Sequence, residues 1–520
     1  MTIFTPARCT HCASPRHPDD PEEPMRLVIA LAVAAVTLAP PAAASADHPA
    51  PVHVCVASVP ETDPLEPGPV DICVSVFKPA SASPDNRVPV LMHSHGWGGS
   101  RTSAPGSFRR YLDAGFGVVS IDQRGFDQSG GKAHVEDPTF EGEDVIRVID
   151  HVASLDWVRH NGPDDPVLGA VGGSYGGGFQ FAGAFTELAR TGRTRFDALA
   201  SQITWHSLND SLAPRDVVRT TWVTALYAAA LDAHTSALHT GYAEGLLTGD
   251  WPAAMDEFFR DNGPAHHVAA GRRLDIPVLL RQGISDNLFP LDQAIDNFDR
   301  ALTPGARAKS LLVGYNGGHA LPSTLPAGYA VAGDACSARL GGYDELELRF
   351  LAENLLGAPR TVTGHGRYQL MTAEGGCVTV DSVAPTTTVV LPTIVTTAGV
   401  GLPQAIKIAD GPLTVAGSPT LDALVGTLGL DTRAFFALSA GTSAPTAKVI
   451  QNNVLPHRER GLNPGTRRTI ELPAVAASIP AGQSLFLTVT PLSDMFPLHG
   501  SRTPGAMVLR DVTVNLPLRR

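Results

Sequence analysis

The chain is predicted to fold as an α/β domain with a doubly wound, mostly parallel sheet and a helical insertion, followed by an all-β sandwich. Three observations predict this. Between residues 51 and 200, short apolar runs alternate with helix-length segments. Between 205 and 270, strand-like alternation disappears. From about 360, Thr, Val, Pro and Gly dominate, and short strand-like runs are separated by turn residues.

The composition suits a globular protein. The 520 residues are 43% hydrophobic and 17% charged, and at about 150 residues per domain they make two to four domains. Gly 51 and Pro 43 stay below the level that signals disorder. A net charge of −12 argues against nucleic-acid and anionic-membrane partners, which need a basic face.

The first element concerns address. Residues 27–38 read LVIALAVAAVTL, preceded by Arg26 and followed by Ala44-Ser45-Ala46. This is the pattern of a secretory signal peptide cleaved after Ala46, and it is too short to span a bilayer comfortably. Asp19, Asp20, Glu22 and Glu23 do not suit a signal peptide's charged end, so Met25 is the expected start and 1–46 the leader. Cys9 and Cys12 form half a zinc site with no second pair, so no metal is expected. The mature chain is expected to be secreted and without a membrane span.

Four cysteines remain: Cys55, Cys73, Cys336 and Cys377. An even number in an exported chain suggests two disulfides. Three pairings exist. Cys55–Cys73 with Cys336–Cys377 is favoured because each pair is close in sequence, and VHVCVASV and VDICVSVF are candidate hairpin partners.

Strands are expected at 53–58, 70–77, 88–93, 116–121 and 166–171, resuming at 276–282 and 309–313. The runs at 88–93, 116–121 and 166–171 are almost continuously apolar, as strands buried on both faces should be. Segments 106–113 and 141–154 have helical spacing. In 205–270, helices are expected at 217–232 and 252–260, together with Trp205, Trp222 and Trp251, as a lid over the sheet's C-terminal edge. The catalytic domain is thus drawn as 47–358 and the sandwich as 359–520. Sandwich strands are expected at 378–380, 386–392, 404–408, 423–428, 434–438, 469–472, 485–490 and 507–516.

The chemistry concentrates at Gly172-Gly173-Ser174-Tyr175-Gly176, between an apolar strand and a helix-like segment at 177–190. G-x-S-x-G in that context is a nucleophile elbow, which lifts the Ser oxygen clear of the sheet. A serine needs a base. In the doubly wound hydrolase order, the acid and then the base follow Ser. Asp286, in GISDNLFP, and His319, in GYNGGH, both follow strands and complete that order. His319 would take the Ser174 proton, and Asp286 would set its tautomer. Among the competitors, His95 precedes Ser174, His93 reads as part of a strand end, and Asp334 and Asp344 follow His319, which is the wrong order. The oxyanion needs two donors. The expected pair is the backbone N–H of Tyr175 and that of Trp97, beside Gly96, in the loop HGWGG. Arg124, in DQRGFDQSG, is read as scaffold making a structural ion pair.

With these residues in place, 85–355 resemble an α/β-hydrolase. The β domain that follows makes the chain similar to the X-Pro dipeptidyl-peptidase (S15 peptidase) and CocE/NonD acyl hydrolase family. GGSYGG, the helix start Glu141-Gly142-Glu143-Asp144 with Trp157, GISDNLFP and the His319 loop carry the resemblance. Residues 417–438, with Asp431-Thr432-Arg433-Ala434-Phe435-Phe436, resemble that family's jelly-roll domain. The resemblance implies cleavage of ester or peptide bonds through an acyl-enzyme, with no cofactor. One departure stands out: family members often carry an oxyanion-donating Tyr where this loop has Trp97. The dipeptidases also hold the substrate's amino terminus with carboxylates, and Glu141, Glu143 and Asp144 read instead as helix-start residues.

The leading expectation is therefore a secreted serine hydrolase of X-Pro dipeptidyl-peptidase-like type acting on a small ester or peptide. The alternatives are a carboxylesterase without peptidase activity and, in another class, a non-catalytic surface-binding protein. Oligomeric state and the substrate-binding residues are left open by the sequence.

Overall fold

The computed structural model describes residues 47–501 and 503–519. The leader, Met25, Cys9, Cys12 and the cleavage site at Ala46 lie outside the described residues.

Ten strands form the central sheet. They are β1 (Val52–Ala57), β2 (Asp71–Phe77), β3 (Val90–Ser94), β4 (Gly117–Ile121), β5 (Leu168–Gly173), β6 (Phe196–Gln202), β7 (Val278–Gly283), β8 (Leu311–Tyr315), β9 (Tyr368–Met371) and β10 (Cys377–Val380). Their spatial order is β1-β2-β4-β3-β5-β6-β7-β8-β9-β10. The stretch from β4 to β9 is parallel, while β1, β2 and β10 pair antiparallel at the two ends. Parallel strands covered by helices on both faces must be apolar throughout, and every residue of β4 is buried. The chain order reverses between β3 and β5, so the connections leave opposite faces there. That switch point, at the carboxyl ends of the strands, is where doubly wound sheets place their sites.

The helices that matter for the site are α1 (Glu141–Ala153), α2 (Tyr175–Thr191), three in the insertion, α3 (Thr220–Ala229), α4 (Ser236–Thr248) and α5 (Ala253–Arg260), and α6 (Leu291–Arg300). The insertion is helical as expected. Cys55 and Cys73 are bonded and lie directly opposite one another between β1 and β2. Cys336 and Cys377 are bonded and tie a short helix, Ala335–Arg339, to β10.

Two sheets make the sandwich. One is built on Asp431–Gly441 and Ser484–Thr490, the other on Thr420–Leu428, Asn463–Glu471 and Ala506–Leu516. The period of two along a strand sorts its side chains. From Asp431–Gly441, Ala434, Phe436, Leu438 and Ala440 enter the core between the sheets. Phe435 and Ala437 point the other way and pack with Val217, Met495 and Phe496, against the insertion.

The central sheet runs past residue 359, where the sandwich was expected to begin. The run at 378–380, expected within the sandwich, is part of β10 instead. The physical reason is edge coverage. Without β9, the apolar strand β8 would leave a row of backbone groups unpaired.

Candidate active site

The sharp turn at Ser174, the candidate nucleophile, follows from small residues on either side. Ser174 sits at φ 58° and ψ −121°, between β5 and α2. A Cβ at Gly172 would lie 2.4 Å from the Gly176 carbonyl oxygen, and one at Gly176 would lie 2.3 Å from that of Ser94. Only glycines let β5, α2 and the end of β3 close this tightly. The Ser174 N–H donates to Gln202 O at 3.0 Å, and Ser174 O accepts from Gly177 and Gly178 at 2.8 and 3.0 Å. The backbone is thus pinned and only the side chain is free to act.

Asp286 follows β7 and His319 follows β8. The structure brings both to Ser174. His319 Nδ1 lies 2.8 Å from Asp286 Oδ2, and His319 Nε2 lies 2.9 Å from Ser174 Oγ. A proton on Nδ1 bonds to Asp286 and leaves Nε2 to accept from Ser174. Asp286 is fully buried. Its Oδ1 accepts from the N–H groups of Leu288 and Phe289, and its Oδ2 also accepts from His319 N–H. The His319 ring is held edge-on by Phe289 and Trp222, with centroids 5.2 and 5.8 Å away.

Tyr175 is the first residue of α2, where a backbone N–H has no partner within the helix. Its ring is buried edge-on against Trp97, with centroids 5.0 Å apart. Gly96 lies over Ser174: a Cβ there would stand 3.9 Å from that of Ser174. The Trp97 indole N–H donates to Leu226 O on α3 at 2.9 Å. The indole is therefore committed to the insertion, and the backbone N–H is the donor Trp97 has for an oxyanion. His95 shapes this loop: its Nδ1 bonds to Gly96 O at 2.9 Å, and its Nε2 accepts from Gln123 N–H at 3.1 Å. Burial holds the His95 pKa below its usual value, consistent with a neutral ring that donates from one nitrogen and accepts at the other.

The remaining sequence-marked residues lie elsewhere. Arg124 is fully buried, forks onto both oxygens of Asp144 at 2.8 Å and reaches Glu61. Glu141 accepts from the N–H groups of His134 and Asp137, and Glu143 pairs with Arg190. Asp334 pairs with Arg281, and Asp344 with Arg110. His93 bonds to Ser120 inside the sheet, and burial pushes its pKa down to about 4.

Sequence reasoning left the substrate pocket blank. A cavity of about 120 Å³ runs from Ser174 between Trp97, Trp205, Leu226, Leu238, Met255 and Phe289. Among the described residues that line it there is no Asp, Glu, Lys or Arg. Nearly half of its wall comes from α3, α4 and α5. Missed as well were residues outside the motifs that hold the site. Asn453, from the sandwich, donates to Asp286 O at 3.2 Å. Asp494 accepts from the N–H groups of Thr324 and Leu325, in the loop after His319. No local pattern marks these two, because their partners lie more than 160 residues away.

Comparison with known proteins agrees with this architecture. Residues 68–320 match the family model described as X-Pro dipeptidyl-peptidase (S15 family). No curated protein matches the chain in sequence. The chain is similar in structure to a CocE/NonD family hydrolase from Staphylococcus aureus, with TM-score 0.62 and 14% identity over 90% of this chain and 94% of that one. It is also similar to an aminopeptidase from a marine sediment Thaumarchaeota archaeon, with TM-score 0.64 and 14% identity over 92% and 98%. An α-amino acid ester hydrolase gives TM-score 0.60 and 14% identity over 94% and 100%. The chain is a serine-type hydrolase, dipeptidyl-peptidase-like or esterase-like, with an α/β-hydrolase fold followed by a β sandwich, and its residues 68–320 match the S15 family model.

Proposed function

We propose that the protein is an exported carboxylesterase, with Ser174 as nucleophile, His319 as base and Asp286 as the residue that orients it. One observation carries the reading: the Ser174–His319–Asp286 chain of hydrogen bonds opens into a cavity lined without a charged side chain. Ser174 Oγ attacks the ester carbonyl, and His319 Nε2 takes its proton. The backbone N–H groups of Tyr175 and Trp97 stabilise the oxyanion, at roughly 3–4 kcal/mol per donor. The alcohol leaves with the proton from His319. A water activated by the same ring then releases the acid.

Charge decides between ester and dipeptide. A dipeptidyl-peptidase must seat a free ammonium group near the scissile bond. The carboxyl groups around Tyr175 are those of Glu141, Glu136 and Asp144. None of them lines the cavity. Asp144 is taken by Arg124, and burial, with Glu141 and Asp144 adding, holds the Glu136 carboxyl well above its usual range. An unpaired ammonium in an apolar cavity costs several kcal/mol. The cavity is also small: a void of about 150 Å³ admits benzene, so about 120 Å³ suits an acyl group of roughly four to six carbons. The family match favours a second reading, an X-Pro dipeptidyl-peptidase. Two disulfides support the exported location. Among the described residues no helix is long and apolar enough to cross a membrane.

The test compares p-nitrophenyl acetate, butyrate and decanoate with Ala-Pro-p-nitroanilide, using residues 47–520 and a Ser174→Ala control. Ser174-dependent hydrolysis is expected to peak at butyrate, with kcat/KM at least about 10²-fold above that for the anilide. A preference for the anilide would establish the peptidase reading instead. Equal turnover by Ser174→Ala would remove the triad assignment.

A further inference from the structure

His319 stands on a loop that cannot position it unaided. Gly317 and Gly318 precede it, and Gly318 has φ +88°. Glycines contribute no stiffness, so the loop must be held from outside. On one side Asn316 holds it, bonding to Val331 O and Thr372 O. On the other side stands Asn287, which is fully buried. Its backbone N–H donates to His319 O at 3.2 Å. Its side chain grips Leu321 at both backbone groups: Oδ1 accepts from Leu321 N–H at 3.2 Å, and Nδ2 donates to Leu321 O at 2.8 Å.

Asn287 Oδ1 has a second donor, the indole N–H of Trp222 at 2.9 Å. Trp222 lies on α3, and its ring stands edge-on to His319. The same helix presents Val223 and Leu226 to the acyl cavity. Its Leu226 carbonyl also accepts from the Trp97 indole in the oxyanion loop. One lid helix thus touches the cavity, the oxyanion loop and, through a single amide, the histidine loop.

We propose that Asn287 is a positioning residue that couples the seating of α3 to the placement of His319, with Trp222 as the link. This rests on His319 being the base. Asn287 touches no substrate and acts through the loop it clamps. Its loss would let His319 Nε2 drift from Ser174 Oγ, and a misplacement of about 1 Å costs on the order of 10²-fold in rate.

A double-mutant cycle tests it, using Asn287→Ala, Trp222→Phe and the double variant, with p-nitrophenyl butyrate turnover and fluorophosphonate labelling of Ser174. Trp222→Phe keeps an aromatic ring beside His319 while removing the indole N–H, at the cost of some ring volume, so it should fold. Asn287→Ala is expected to lower kcat by about 10²-fold with KM within about threefold, and to slow labelling in proportion. Trp222→Phe should lower kcat by about three- to tenfold, and should have no further effect in the Asn287→Ala background. A Trp222→Phe enzyme with unchanged kcat, or a double variant whose loss is the product of the two single losses, would overturn the coupling. Failure of the triad reading is separate: Ser174→Ala would then match the wild type before any variant of the clamp is considered.

Discussion

At Ser174 the backbone is held in a conformation that few residues adopt, and the glycines beside it make this possible. Their two duties, room and conformation, can be separated. Gly176 has an ordinary helical position but no room, since a Cβ would meet the Ser94 and His95 carbonyl oxygens at 2.3 and 3.0 Å. Gly192, at the end of α2, has φ +81° and nothing within 4 Å of a Cβ. Gly176→Ala is expected to lose about 2–4 kcal/mol in urea unfolding, because backbone must move, and to label poorly with fluorophosphonate. Gly192→Ala should cost only about 1 kcal/mol and label normally. The residues proposed for the reacting centre were the ones that local pattern and chain order mark. The elbow is a local pattern, and chain order then singled out Asp286 and His319, which lie within hydrogen-bond reach of one another. Asn287 is different. It stands next to Asp286, yet its importance comes from Trp222 and Leu321, which only the fold brings to it.

Among the elements, the strands at 53–58, 70–77, 116–121 and 276–282 were readable from their apolar runs, whereas β6 and α4 were not. The β6 sequence FDALASQ is rich in Ala and Ser, which favour helix or neither state. Small side chains are needed there because β6 runs beneath the glycines of α2, where a Cβ at Gly177 would lie 2.7 Å from Gln202 O. In α4, Gly241 and Gly245 weaken the helical signal. A Cβ at Gly241 would meet Met255 Sδ at 2.3 Å, so the glycine serves the packing of α5. At the start of α6, Asp292 accepts from the Ala474 N–H of the sandwich at 3.0 Å. Burial, with Asp296 and Glu471 adding, raises its carboxyl to about 7. The unfolded chain gives up this proton near pH 3.8 and the folded chain near 7. Stability from this group is therefore greatest below pH 4 and falls as pH rises towards 7. Asp292→Asn keeps an acceptor for Ala474 and removes the titration. Its gain in thermal stability over the wild type should be on the order of 1–2 kcal/mol larger at pH 8 than at pH 4.5, by calorimetry.

Four histidines, taken over the whole molecule, act in the reverse direction with pH. Burial pushes His93, His206 and His234 down to about 4, and His267 to about 3, with neighbouring charges adding for His93, His234 and His267. Each ring is held neutral in the fold and takes a proton near pH 6.5 when unfolded. Stability is thus lost as pH falls from about 6.5 through 4. At roughly 1–2 kcal/mol each, the four rings together exceed the contribution of Asp292 alone. The melting temperature should be nearly level from pH 7 to 8 and fall steeply below 6, followed by circular dichroism. The two-part organisation was legible as a change of composition near 360, but its seam was not, because sheet membership depends on pairing across the chain. The seam carries a consequence for anyone, or any genome, that would recombine these parts. A reading frame stopped at 358 would lack β9 and β10, leave Cys336 with a free thiol, and expose the backbone edge of β8 as a template for self-association. The sandwich therefore cannot be exchanged at the point where its composition begins. A viable crossover has to lie beyond Val380, where the central sheet is complete.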